Sequence, residues 1–161
     1  MWSSDRRHFL TLAAATFVAA CGFTPLHAPG GSGAALRGQV ALADPTTRDG
    51  FDYVNRLEDR LGKAASPAYR LEWTVEANPV GAGVTPAGAI TRYSLKGKAS
   101  YILVSQATGQ TVTSGQVESF TSWSTSGSTV STLSAEDDAH RRLMIILADQ
   151  TVSRLYAAQL K

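Results

Sequence analysis

The sequence predicts an α+β domain, in which a four-stranded, largely antiparallel sheet carries two helices on one face, in the order β-α-β-β-β-α. Three observations lead to this fold class. Apolar and polar residues alternate over residues 69–77 and 90–104, as in half-buried strands. Apolar residues recur at helical spacing over residues 51–61 and again near the C-terminus. Glycine, proline and serine clusters separate these segments.

The first strand and the first helix are short. Residues 36–42 place Leu36, Val40 and Leu42 on one side of a predicted first strand. The Asp-Pro-Thr-Thr sequence at residues 44–47 then interrupts the strand and offers caps for a helix. That helix is predicted over residues 51–61, with Gly62 at its C-terminal end.

Three longer strands follow, joined by a loop and a turn. Residues 69–77 form the second strand, and the two prolines and several glycines of residues 78–88 predict a loop. Thr108-Gly109-Gln110 predicts a tight turn before a fourth strand over residues 111–123, where Gly115 is expected to mark a bulge. In the third strand, residues 90–104, the inward side chains are Tyr93, Leu95, Ala99, Tyr101 and Leu103, and the outward ones are Arg92, Ser94, Lys96, Lys98 and Ser100.

A long helix is predicted at the C-terminus, from Ser134 to about residue 159. Ser134 is the expected N-cap, and the acidic residues Glu136, Asp137 and Asp138 suit the positive end of the helix dipole. Residues 124–132, almost entirely serine, threonine and glycine, are expected to connect the sheet to this helix. The predicted domain spans residues 36–161.

The N-terminus has the layout of an export signal. Arg6 and Arg7 precede an apolar run of twelve residues, 9–20, which is too short for a spanning helix of ~20 residues. Val18-Ala19-Ala20-Cys21 resembles the bacterial lipobox, which implies cleavage between Ala20 and Cys21 and acylation of the Cys21 thiol. We therefore assign residues 1–20 to a signal peptide and residues 21–35 to the acylated cysteine and a flexible tether.

The signal sequence does not decide between two export routes, but it favours the outer membrane as the destination. Asp5-Arg6-Arg7-His8-Phe9-Leu10 resembles a twin-arginine motif, and an ordinary secretory signal with two arginines explains it equally well. Gly22 stands where aspartate would resemble an inner-membrane retention signal, so we expect an outer-membrane lipoprotein on the periplasmic side.

Composition and motifs give no support to an enzyme. The 15 Lys and Arg residues nearly balance 13 Asp and Glu residues, which argues against nucleic acid as a partner. The single cysteine is used by lipid, and His8 leaves with the signal, so no metal site is predicted. Residues 81–88 are rich in glycine but lack the Lys-Ser/Thr ending of a phosphate loop. No catalytic residue and no cofactor are predicted.

One group of basic residues is a candidate binding site for an anion. Arg92, Lys96 and Lys98 share the outward face of the third strand, and Arg70, at an outward position of the second strand, is a candidate to join them. Such groups bind phosphate oxygens through charge-assisted hydrogen bonds, so a phosphorylated glycolipid would suit them. The alternative is a solvated sheet face without a ligand.

Residues 21–28, Cys-Gly-Phe-Thr-Pro-Leu-His-Ala, are similar to the Cys-Gly-Phe-x-Pro-Leu-Tyr start of alphaproteobacterial lipopolysaccharide-assembly lipoproteins, the LptE family, with His27 in place of tyrosine. The resemblance implies a plug inside a large outer-membrane β-barrel (LptD-like) that exports lipopolysaccharide, an aid to barrel assembly and a lipopolysaccharide binder. Residues 78–88 and 124–132 are then expected to contact the barrel. The alternative is a lipid-anchored scaffold subunit of another envelope complex with no glycolipid ligand.

Overall fold

The computed structural model describes residues 32–125 and 128–158 of the chain. Within these residues the order is α1 (Ser32–Leu36), β1 (Val40–Leu42), α2 (Arg48–Leu61), β2 (Tyr69–Val84), β3 (Ile90–Ser105), β4 (Thr111–Ser124) and α3 (Thr129–Ala157). The predicted signal peptide, the cleavage site at Ala20 and Cys21, and most of the predicted tether lie outside the described residues.

The four strands form one sheet in the order β1-β2-β3-β4. β1 pairs parallel to β2, because α2 carries the chain back to the same end of the sheet, and the other two pairings are antiparallel. Residues of α2 and α3 join the sheet's inward residues in one buried cluster. The predicted α+β class and the placement of both long helices on one face are confirmed, with α1 as an additional short helix.

The first strand is shorter than predicted. Ser32–Leu36 is helical, and β1 covers only Val40–Leu42. Leu36 is fully buried at the end of α1. The apolar residue that suggested the start of a strand is therefore the last residue of a helix that packs against the core. Residues 32–35, which the sequence assigned to the flexible tether, are therefore already structured.

Helix α2 begins three residues earlier than predicted, and both of its ends are capped. The Thr47 hydroxyl accepts a hydrogen bond from the Gly50 amide at 3.1 Å. At the other end Gly62 adopts a φ of 78°, and its amide donates to the Glu58 carbonyl at 2.8 Å. The predicted role of Gly62 is confirmed, because only glycine adopts this conformation without strain.

Strand β2 continues through most of the segment predicted as a loop. It runs to Val84, and Pro79 lies opposite Leu95 in the ladder with β3. β1 pairs only with the stretch of β2 that ends at Leu71, so beyond that residue β2 is an edge strand. A proline on an edge need not sacrifice a ladder hydrogen bond, which explains why the prediction was wrong here.

Strand β4 follows the predicted Thr108–Gln110 turn, in which the Gly109 amide donates to the Ser105 carbonyl at 2.8 Å. The expected bulge at Gly115 is wrong, because Gly115 lies in regular register with Tyr101 and the irregularity falls between Leu103 and Val104. A Cβ at Gly115 would lie 2.6 Å from the Tyr101 hydroxyl. The glycine therefore makes room for an aromatic ring on the inner face.

Helix α3 begins at Thr129, with Ser128 rather than Ser134 as the N-cap. The Ser128 hydroxyl accepts from the Ser131 amide at 3.3 Å. The three acidic residues consequently lie inside the helix rather than at its positive end, and two of them form ion pairs. Asp137 pairs with Arg48 at 2.8 Å, and Asp138 pairs with Arg142 at 2.9 Å.

The core lies between the inner sheet face and the two long helices. Its largest fully buried side chains include Tyr53, Leu57 and Leu61 from α2, Leu71, Leu95 and Leu103 from the sheet, and Leu143, Met144, Leu147, Val152 and Leu155 from α3. Helix α3 crosses closely over β3 at Gly97, where a Cβ would lie 2.6 Å from a Leu143 methyl carbon. The helix can approach this closely because Gly97 carries no side chain.

Candidate ligand-binding face of the sheet

The predicted basic residues lie on the outer face of the sheet, opposite the helices. Leu95, Ala99 and Leu103 of β3 point into the core and are fully buried. Arg92 and Lys96, at the alternate positions, are exposed. The period-two geometry of a strand produces this separation, and it confirms the faces assigned from the sequence.

Lys98 already forms an ion pair within the protein. Its ammonium lies 3.5 Å from the Glu76 carboxylate, directly across the β2–β3 ladder. Glu118 lies opposite Lys98 on the other side, in β4, and its carboxylate accepts a hydrogen bond from the Gln116 amide at 2.7 Å. Of the three basic residues on β3, Lys98 is therefore the one held in an ion pair.

In the part of the chain that the structure describes, Arg92 and Lys96 have no such partner. Among the described residues, no carboxylate lies within 4.0 Å of either side chain's charged group. Lys96 lies opposite Asn78 on β2 and opposite Phe120 on β4. Arg92 lies opposite Gly83 and Ser124, toward the end of the sheet. These two cations form the available positive charge of the outer face.

Arg70 does not join them. It lies on the same face but opposite Val104, six residues from Lys98 along β3, which is about 20 Å at ~3.4 Å per residue. Its guanidinium pairs with Glu72 at 2.8 Å. The sequence placed Arg70 on the correct face, but it could not give the register that separates it from the other three.

Sequence reasoning missed one exposed aromatic residue on this face. Phe120 of β4 is 71% exposed, although it lies within a regular strand. Val117 and Trp123 of the same strand point into the core and are buried. Phe120 lies an odd number of residues from each of them, so the strand period already places it on the opposite face.

A shallow depression of about 520 Å³ also opens on the sheet, nearer the β3–β4 turn. The charged residue that lines it is Glu72. Glu72 is paired with Arg70, and none of the described cations lines the depression, so the region around Arg92 and Lys96 remains the better candidate for phosphate.

The two segments expected to contact a barrel meet at one end of the domain. We call it the hairpin end; it comprises Val84 and Ile90 beside the β2–β3 turn, Thr125 after β4, and Thr129 and Val130 in the first turn of α3. The Thr125 amide donates to the Thr91 carbonyl at 3.0 Å, and the Thr125 hydroxyl donates to the Ile90 carbonyl at 2.8 Å. Val84 is 64% exposed, and Val130, in the first turn of α3, is also exposed.

Further polar pairs join helices α2 and α3 to each other. Arg56 of α2 donates two hydrogen bonds to Asp149 of α3, at 3.0 and 2.9 Å, and this contact raises the pKa of Arg56. His140 lies 3.0 Å from Asp49. These pairs hold α2 and α3 against each other.

No group of three or more His, Cys, Asp or Glu residues in the described part of the structure is placed to hold a metal ion. None of the helices in residues 32–125 and 128–158 is long and apolar enough to cross a membrane.

Comparison with known proteins gives both a family and a fold. The family model described as LptE, lipopolysaccharide-assembly, matches residues 38–155, well over half of the chain. No curated protein matches.

Among solved structures, a lipoprotein from Caulobacter crescentus CB15 has a TM-score of 0.66 at 17% identity, covering 78% of this chain and 93% of that chain. The rare lipoprotein B from Shewanella oneidensis has a TM-score of 0.58 at 13% identity, covering 74% and 92%. A minor lipoprotein from Acinetobacter baumannii has a TM-score of 0.55 at 17% identity, covering 74% and 91%. At these identities the likeness shows a shared fold.

Proposed function

Because the chain belongs to the LptE family of lipopolysaccharide-assembly proteins, we propose that it is an outer-membrane lipoprotein that plugs and helps assemble a β-barrel lipopolysaccharide translocon. We further propose that it binds lipopolysaccharide for insertion into the outer membrane. The family match over residues 38–155 is the observation that carries this proposal. The partners are then a large LptD-like barrel, lipopolysaccharide and the membrane itself.

The membrane anchor in this proposal is Cys21. Its thiol would carry a diacylglycerol and its freed amine a third acyl chain, after cleavage behind Ala20. A single acyl chain holds a protein only marginally, whereas several chains hold it stably. The described residues begin at Ser32, eleven residues after Cys21, so the proposed anchor would hold the domain within about 36 Å of the membrane surface.

The hairpin end is the proposed barrel contact. Exposed Val84 and Val130 at this end offer apolar area, and the serines and threonines around them offer hydrogen bonds. An interface needs both, with apolar contacts at its centre and polar groups at its rim. This end is the one at which the β2–β3 turn and the start of α3 converge.

The proposed lipopolysaccharide contact is the basic group of the outer face. Arg92 and Lys96 are exposed and free of carboxylate partners among the described residues, so an anionic ligand need not displace an existing ion pair. Lys98 contributes less, because Glu76 competes for it. Hydrogen bonds to phosphate from these groups are charge-assisted.

The test uses the full-length lipidated chain and has two arms, crosslinking in its bacterial host and lipopolysaccharide binding in detergent. Photo-crosslinkers at Val84 and Thr129 should capture a large outer-membrane barrel, whereas one at Asp59, an exposed residue of α2, should not. In detergent, replacing Arg92, Lys96 and Lys98 together by serine should weaken lipopolysaccharide binding at least ~10-fold, and wild-type binding should fall with added salt.

Each arm has an outcome that contradicts the proposal. Recovery of uncrosslinked monomer alone at both hairpin-end positions would count against the plug. Equal affinity in a folded triple variant would mean that the basic group is only a solvated face. Capture of a different envelope partner together with no lipopolysaccharide binding would favour the scaffold function instead.

A further inference from the structure

Phe120 is an aromatic ring that the core does not use. It is 71% exposed on the outer face, while the inner face of the same strand buries Val117 and Trp123. Its flanking outward neighbours on β4 are Glu118 and Ser122, both polar. An exposed aromatic ring set among polar side chains on an open sheet offers a flat apolar surface to a ligand that is itself partly polar.

Phe120 is one end of a row that crosses three strands. Asn78 of β2 lies opposite Lys96 of β3, and Lys96 lies opposite Phe120 of β4. Neighbouring strands lie ~4.8 Å apart, so the row spans about 10 Å. The next outward pair toward the hairpin end is Ser94 with Ser122, whose small side chains leave the ring face uncovered.

We propose that the row of Asn78, Lys96 and Phe120 is a saccharide subsite that takes an acidic or phosphorylated sugar. The negative face of the Phe120 ring would stack on the C–H face of a pyranose ring. The Lys96 ammonium would pair with the sugar's carboxylate or phosphate. The Asn78 amide both donates and accepts hydrogen bonds, as neighbouring hydroxyl groups require. The row is long enough for one or two sugar rings.

The charges around the row favour an anionic sugar over a neutral one. Among the described residues, Glu76 is neutralised by its pair with Lys98, whereas Glu118, which accepts from the neutral amide of Gln116, is the one negative charge left beside the row. Lys96 and, beyond it, Arg92 are the cations left without a partner in the described part of the chain. This inference rests on the proposed function in one respect, because it takes the saccharide head of lipopolysaccharide as the source of the sugar.

The experiment measures binding of the full-length lipidated chain in detergent micelles to three probes. The probes are intact lipopolysaccharide, the oligosaccharide released from it by mild acid, and lipid A without that oligosaccharide. Replacing Phe120 by alanine should weaken binding of the first two about tenfold and leave lipid A unchanged. Phe120→Trp should keep wild-type affinity. Ile102→Ala, which removes another exposed apolar side chain of the same face, is the matched control.

The salt dependence of binding distinguishes the contribution of ring stacking from that of the lysine charge. The loss caused by Phe120→Ala should be the same at low and high salt, whereas the loss caused by Lys96→Ala should shrink as salt screens the ammonium. Circular dichroism should show both variants folded, because both side chains are exposed.

The subsite would be overturned if the wild type did not bind the free oligosaccharide, or if Phe120→Ala bound it as tightly as the wild type does. It would also be overturned if Phe120→Ala lost as much affinity for lipid A as for the oligosaccharide, because the ring would then contact acyl chains. Binding of the oligosaccharide through Phe120 without binding of intact lipopolysaccharide would support the subsite while contradicting the proposed function.

Discussion

The two faces of strand β3 share one backbone, but their side chains are constrained in different ways. On the inner face Leu95, Ala99 and Leu103 are fully buried beneath the helices. On the outer face Lys96 and Ile102 meet solvent. Every inner side chain is fixed by the shape of its neighbours, whereas an outer side chain is constrained only by charge and register. The outer face is therefore where a ligand-binding surface can be placed without disturbing the core.

The inner face nevertheless supports the outer one. Gly97 lies between Lys96 and Lys98, and Leu143 of α3 packs directly against its backbone. This close approach holds the strand that carries both lysines. A binding surface is more effective when the backbone beneath it is rigid, since less freedom is lost when the ligand binds. The comparison therefore concerns two coupled surfaces with different tolerance to mutation.

The largest expected effect tests the two faces with neighbouring aliphatic residues. Leu103→Ala should lower the free energy of unfolding by about 2–5 kcal/mol, because it opens a cavity under the helices. Ile102→Ala should lower it by less than about 1 kcal/mol, because Ile102 is 41% exposed. Urea unfolding followed by circular dichroism measures both. Similar losses for the two variants would refute the distinction between the faces.

Much of the fold could be predicted because its signals are local. Strict alternation in β2 and β3 assigned the two faces, and the position of Gly62 marked the end of α2. The errors occurred where tertiary context overrides local signals. Pro79 suggested a loop, but a free edge lets β2 continue through it. Ser128 caps α3, yet nothing in a serine-rich stretch distinguishes one serine from the next.

The candidate site could be predicted only in part. The alternation gave the shared face of Arg92, Lys96 and Lys98, but not which of them is paired. That depends on the cross-strand register, which brings Glu76 to Lys98 and is set by the distant β2–β3 turn. The same register separates Arg70 from the group. Register is a non-local property, so the spacing of charges along one strand does not reveal it.

A smaller effect is expected from a single buried hydroxyl on the inner side. The Tyr53 hydroxyl lies 2.8 Å from the Thr151 hydroxyl, which itself donates to the Leu147 carbonyl at 2.9 Å. Tyr53 is therefore the donor to Thr151. Tyr53→Phe should lower the free energy of unfolding by about 1 kcal/mol at neutral pH. Urea unfolding again provides the measurement, with Tyr93→Phe, a half-buried tyrosine stacked on Trp123, as the control.

The same tyrosine predicts a pH dependence. Burial raises the pKa of Tyr53 from 10.0 to about 12. The unfolded chain loses this proton near pH 10, but the folded chain keeps it until about pH 12, so the contribution to stability is complete below pH 10 and is lost as the pH rises to about 12. Tyr53→Phe should flatten this alkaline decline. An unchanged decline in the variant would assign it to other groups.

The smallest expected effect on stability concerns the competition between ion pair and ligand on the outer face. Glu76→Gln breaks the pair with Lys98, whose two side chains are 40% and 60% exposed, so the free energy of unfolding should fall by less than about 1 kcal/mol. The freed Lys98 would then stand beside Lys96, and lipopolysaccharide should bind about two- to threefold more tightly at low salt. Glu72→Gln is the matched control, because it frees Arg70 about 20 Å away and should leave the affinity unchanged. An equal gain from both substitutions would mean that only the net charge of the face matters, whereas a gain confined to Glu76→Gln would place the anion at Lys96 and Lys98.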